Sequence, residues 1–125
     1  MGALDDARAH LAKAREFLEA AQLNHELDLF DAATSNAVTS GINSKDAICL
    51  QLTGRTGRTD NHEDAAGELA RSGPGGRQLA PTLRRLLKLK TRAQYLTAPT
   101  AASDAVRAID WATRLLEGAQ RVVTS

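Results

Sequence analysis

Cysteine occurs once in the 125 residues, at Cys49. No internal disulfide can form, and this usage points to a reducing cytoplasm. Cys49 lies in the apolar run Ala47-Ile48-Cys49-Leu50, which reads as a buried, inert thiol rather than a nucleophile. Aromatic residues make up only 3% of the chain, so Leu and Ala must fill the core. Beyond Tyr95 and Trp111 there is little from which to build a stacking platform for single-stranded nucleic acid. No stretch approaches the ~18 apolar residues of a membrane span. The N-terminus carries Asp5 and Asp6 and lacks the apolar segment of a secretory signal. The three histidines, His10, His25 and His62, have no His or Cys at ligand spacing, so neither a metal nor another cofactor is expected. Gly54 to Gly57 has glycines and arginines but not the lysine or spacing of a P-loop.

What is present is helical. The apolar fraction of 42% and the charged fraction of 25% are ordinary for one globular domain over residues 1–125. Leu4, Ala7, Leu11, Ala14, Leu18 and Ala21 recur at three- and four-residue steps, one stripe along a helix of about five turns that fades at Asn24–His25. A second helix is expected from near Asp31 to Leu52, with Ala33, Ala37, Gly41, Ser44, Ile48 and Leu52 inside. Its small residues suit close packing within the chain, a dimer seam or a ligand site. Residues 53–59 read as a loop, and Asp60 or Asn61 can cap a short third helix through Leu69 or Arg71. Ser72-Gly73-Pro74-Gly75-Gly76 reads as the strongest loop in the chain. Pro81 then suits the first turn of a fourth helix along Leu79, Leu83, Leu86, Leu87, Lys90, Ala93 and Leu96. Thr97 to Thr100 end it. Ser103 can cap a fifth helix facing inward through Ala105, Ile109, Ala112, Leu116 and Ala119, flanked by Val106, Leu115 and Val122. The fold class is therefore all-α, an antiparallel bundle of four to five helices.

Charge is uneven although the net is +1. Residues 1–31 hold seven acids against three basic residues, whereas Leu69 to Ser103 hold Arg71, Arg77, Arg84, Arg85, Lys88, Lys90 and Arg92 with no acid. The basic helix around Arg84–Arg92 reads either as a solvated face or as a contact for RNA, nucleotide or an acidic partner. Arg55 and Arg58 carry guanidinium forks that match phosphate oxygens.

Taken in order, these features resemble the HEPN superfamily of small helical domains. Ala7 to Ala14 has the pattern Ala-Arg-x-x-Leu-x-x-Ala. A small-residue helix follows from Asp31-Ala32-Ala33 to Ala47-Ile48. A glycine-bearing loop then leads to Asn61-His62-Glu63-Asp64 and Leu69, similar to the family's Thr-His-Asp followed by leucines. Arg92-x-x-Tyr95 looks like its Arg-Tyr element, and an Ala-rich helix from Ala102 to Val123 closes the chain. The resemblance implies a helical bundle, often dimeric, that binds RNA or nucleotides. Many members are metal-independent ribonucleases, and many sit in toxin–antitoxin pairs beside a small nucleotidyltransferase. The catalytic signature is Arg, four to six residues, then His. Here Arg92 has no such histidine, and the spacing is met only by Arg55 and His62, outside the family's usual position.

The reading is thus a cytoplasmic, HEPN-like RNA- or nucleotide-binding module, homodimeric, and half of a toxin–antitoxin type pair with a nucleotidyltransferase partner. Its phosphate contacts would be Arg58, Arg84, Arg85, Lys88, Arg92 and Tyr95. One alternative is a ribonuclease toxin with His62 as acid or base and Arg55 on the phosphate. Another is a non-catalytic bundle docking on an acidic protein. The bland role for His62 is to pack at the start of the third helix.

Overall fold

Three residues separate the first two helices. In the computed structural model, which describes residues 2–58, 61–95 and 99–123 (of 92–95 the backbone alone), α1 spans Ala3–Glu26 and α2 spans Phe30–Thr53. The corner between them closes when Asp28 adopts φ 60°. The Leu29 N–H then donates to the Asn24 carbonyl at 2.8 Å and the Asp28 N–H to His25 at 3.0 Å. Side-chain bonds fix the return direction. Asn36 pairs with Asn24, Ser40 Oγ donates to the Ala14 carbonyl, and His10 pairs with Asn43. Partner numbers fall along α1 as they rise along α2, so the two run antiparallel.

The predicted stripes largely face inward. In α1 Ala7, Leu11, Ala14, Leu18 and Ala21 are buried, while Leu4 is half exposed. In α2 Ala33, Ala37, Gly41, Ser44 and Ile48 are buried; Leu52, in its last turn, is not. A Cβ on Gly41 would run into Leu86 and Leu115. The small residues of α2 are thus occupied by packing within the chain.

The third helix, α3 (His62–Arg71), begins at Asn61, whose Oδ1 accepts from the N–H groups of Glu63 and Asp64 at 2.9 and 3.1 Å. Asp60, the other expected cap, lies outside the described residues. The expected loop at 72–76 is shorter than its composition suggests, because α4 runs Pro74–Tyr95 and encloses Pro81. Pro74 occupies the first helical position, where a missing N–H costs nothing and a fixed φ helps. Gly76 lies buried against the Leu69 carbonyl and Ser72, so it is needed for close approach rather than for a turn. Contacts of His62 with Thr91 and of Glu63 with Arg84, beside that of Leu69 with Gly76, make α3 and α4 antiparallel. Ala93, Leu96, Thr97 and Ala98 fall outside the described side chains or residues.

The last helix, α5 (Ala102–Val122), starts from Ala101, with no side-chain cap; Ser103 lies one residue inside it. Ala105, Ala108, Ala112, Leu115, Leu116, Gly118 and Ala119 are buried, Ile109 is partly buried, and Val106 is exposed. All five helices contribute to one apolar cluster, centred on Ile48, Leu69, Leu83, Leu86, Leu87 and Leu115. The described residues form an all-α bundle, and no helix among them is long and apolar enough to cross a membrane.

Candidate functional site

Between Asp31 and Arg55 the chain carries two charges, Lys45 and Asp46. Helical periodicity turns Lys45 inward, leaving its side chain 3% exposed. An ammonium there must be paired. Its Nζ donates to Glu68 of α3 at 2.5 Å, to Thr56 Oγ1 at 2.9 Å and to Asp46 at 3.2 Å. Thr56 donates to Asp46 Oδ1 at 2.6 Å, and the Gly57 N–H donates to both Glu68 oxygens at 2.8 and 3.0 Å. A Cβ on Gly57 would stand 2.6 Å from Glu68 Oε2, so a glycine lets the backbone come this close. On the far side, His10 Nδ1 donates to Asn43 Oδ1 at 2.8 Å and lies 3.9 Å from Asp46 Oδ2. Burial alone pulls Lys45 down, but the Glu68 hydrogen bond and the Asp46 charge outweigh it and raise its pKa. Burial likewise pushes Glu68 up, and Lys45, Gly57 and Thr56 bring it below the ordinary carboxylate value. Both groups are ionised, and together they fasten the loop after α2 onto α3.

That fastened loop forms one lip of a cleft of about 480 Å³. Ile42, Ala65, Leu83 and Leu87 form its apolar wall; Lys45, Asp46, Gly57, Arg58, Asn61, His62 and Lys90 supply the polar lining. Arg58 is exposed and Lys90 half-buried, and neither has an ion-pair partner among the described residues. His62 Nδ1 lies 3.2 Å from Thr91 Oγ1, whose hydroxyl also reaches the Leu87 carbonyl at 3.4 Å. The Thr91 contact fixes the ring through Nδ1 and leaves Nε2 unengaged by Thr91. Asn61 already occupies two amides at the α3 terminus, so an anion in the cleft would be held by side chains rather than by a bare helix end.

The sequence-derived candidates divide. Arg58 and His62 share the cleft. Arg55 lines an adjoining one, with Arg71, Thr53, Thr56 and Glu68, and the two clefts meet at Gly57. Arg84 Nε bonds Glu63 at 3.0 and 3.1 Å on an exposed surface, a pair that contributes little to stability. Arg85 and Lys88 are exposed on α4. The side chains of Arg92 and Tyr95 lie outside those described. Among the described residues no group of three or more His, Cys, Asp or Glu is arranged to hold a metal.

Residues 7–122 match the HEPN domain. The chain belongs to the HEPN domain family. It is therefore a member of a family of nucleotide- and RNA-related modules. A comparison with curated proteins gave no match.

Several residues that shape the site of this HEPN domain escaped the sequence reading. Lys45 and Asp46 were legible as two adjacent opposite charges in a helix whose one other charged residue is Asp31 in its first turn, a pattern that calls for buried pairing. Lys90 stood at the edge of the α4 stripe and lines the cleft. Thr56, Glu68, His10 and Asn43 carried no such signal, since each matters only through a partner distant in sequence.

Proposed function

We propose that this HEPN domain binds RNA or a nucleotide in the His62 cleft. Arg58 and Lys90 would contact phosphate, and Ile42, Leu83 and Leu87 would pack on sugar or base. The observation that carries the reading is the convergence, on a cleft with an apolar wall, of two cations that have no ion-pair partner among the described residues and a partly buried histidine. The test is binding of a short single-stranded RNA across a salt series. Each phosphate contact contributes about −0.7 to the slope of log K against log salt. Arg58→Ala and Lys90→Ala should each weaken binding and flatten that slope; unchanged binding in both would contradict the reading.

A second reading, a metal-independent ribonuclease, is favoured by the anchoring of His62 through Nδ1, which leaves Nε2 for chemistry. Nε2 would take the ribose 2′-hydroxyl proton as that oxygen attacks phosphorus. The 5′-oxygen would leave with a proton from water, giving a 2′,3′-cyclic phosphate, while Arg58 or Arg55 stabilises the charge on the phosphoryl oxygens. Cleavage of total RNA without added metal, abolished by His62→Ala, is the expected result; no cleavage by the parent leaves binding alone.

The cellular role that fits is half of a cytoplasmic toxin–antitoxin type pair, with the domain as a homodimer beside a small nucleotidyltransferase. Family membership supports this role, and the exposed Arg85 and Lys88 offer a surface for an acidic partner or RNA. Expression of the chain alone should arrest growth, and co-expression of such a partner should relieve it. Sedimentation should give twice the 13.3 kDa chain mass.

A further inference from the structure

The His62 cleft does not end at Ile42. A second hollow of about 380 Å³ runs along the first half of α2 and shares both Ile42 and Lys90 with it. Each volume falls within the roughly 300–1,000 Å³ of small-molecule sites. One lysine therefore serves two adjoining spaces, and their chemistries differ. The first space is cationic. The second has Lys90 as its one cation among the described lining residues, and its other polar groups are Asp31, Thr34, Ser35 and Thr39.

Two features of this second space point to a ligand. Thr34 is 1% exposed and its Oγ1 has no hydrogen-bond partner among the described residues, which is costly for a buried hydroxyl. Asp31 is held in place by the Thr100 N–H, which donates to Oδ1 at 2.9 Å and leaves the other oxygen to accept. The Thr100 hydrogen bonds also keep its pKa below the ordinary value, so it is an acceptor at neutral pH. Thr39 donates its own proton to the Ser35 carbonyl at 3.1 Å, so its oxygen too can serve only as an acceptor. Val38 and Ile42 add an apolar surface. The space asks for a ligand with hydrogen-bond donors on one edge, an apolar face and an anionic group near Lys90.

We propose that this hollow is a nucleoside subsite selective for guanine, with the nucleotide's phosphate at Lys90 and its base edge at Asp31 and Thr34. Guanine presents an N1–H and an amino group side by side on its pairing edge, one for the free Asp31 oxygen and one for the Thr34 hydroxyl oxygen; adenine, cytosine and uracil each offer a single donor group there. The inference rests on the nucleotide-binding reading of the adjoining cleft and specifies its ligand. Free nucleotide and a guanosine within RNA share this chemistry.

Calorimetric titration of the full chain with GMP, AMP, UMP and ribose 5-phosphate tests it. GMP should bind at least tenfold tighter than the others. Asp31→Asn and Thr34→Val should each remove most of that preference while leaving ribose 5-phosphate unchanged, and thermal melts followed by circular dichroism would confirm that both variants are folded. A trinucleotide with a central guanosine that binds tighter than GMP marks RNA as the source, and the reverse marks the free nucleotide; in either case the Asp31→Asn loss supports the subsite. Equal binding of GMP and ribose 5-phosphate, or a GMP affinity untouched by Asp31→Asn, overturns the subsite and leaves the phosphate cleft standing. Failure of every ligand to bind overturns both.

Discussion

Lys45 Nζ and Glu68 Oε1 meet at 2.5 Å across the boundary between α2 and α3, with the lysine side chain 3% exposed and the glutamate 30%. This bond and the Gly57 N–H on the same carboxylate place the loop that carries Arg58 and leads to His62. The candidate site therefore depends on a buried ion pair whose lysine also lines the cleft.

Removing one partner should show it. Lys45→Ala would leave Asp46 and Glu68 without their cation and should cost about 3 kcal/mol in urea unfolding, the low end for a broken buried pair because Glu68 keeps some water. Lys45→Met, which refills the volume, combined with Glu68→Gln should recover much of that loss. A coupling near zero in the Lys45/Glu68 double-mutant cycle would contradict the account.

The pH dependence follows from the directions of the two shifts. Glu68 sits below its unfolded value of ~4.3, so on acidification the unfolded chain takes up the proton first. Its contribution is complete above ~4.3 and is lost as pH falls through the lower folded value. Lys45 is raised, so its contribution is complete below the unfolded ~10.4 and is lost as pH rises through the higher folded value. Urea midpoints of the parent should fall more steeply in acid than those of Glu68→Gln; parallel curves would rule out this linkage.

Asp28 holds φ 60° at the α1–α2 corner, a conformation that disfavours any residue with a Cβ. Asp28→Gly should stabilise the chain by about 0.5–1 kcal/mol, with the gain in the native corner exceeding the added freedom of the unfolded chain. A lowered melting temperature would show that the aspartate has a compensating role.

Burial pushes the Cys49 thiol up to about 12, with Glu68 and Asp46 adding to the shift against Lys45. A thiol reagent at neutral pH should therefore leave the native protein nearly untouched and react promptly in urea. Fast native labelling would mean that α2 opens locally.

Much of the fold was legible because its helices carry their own apolar periodicity: Ala7 to Ala21 and Ala33 to Ile48 are buried where their spacing places them. The start of α4 was not. Pro74, Gly75 and Gly76 have the composition of a turn, and their place in a helix depends on Pro74 at the first position and on the lack of room for a side chain at Gly76. The site was legible in part. His62 and Arg58 stand close in sequence and share a cleft, while Arg55, at the family's spacing from His62, lines the next one. The lysines that complete the arrangement come from α2 and α4 and converge only through tertiary packing.

The most direct test of RNA binding in the His62 cleft is an amide chemical-shift map of the full chain titrated with a short single-stranded RNA. The largest shifts should gather at Lys45, Arg58, Asn61, His62 and Lys90, the residues around one cleft. Shifts confined to the exposed face of α4 at Arg84, Arg85 and Lys88 would contradict binding in that cleft and make the solvated basic surface the binding site.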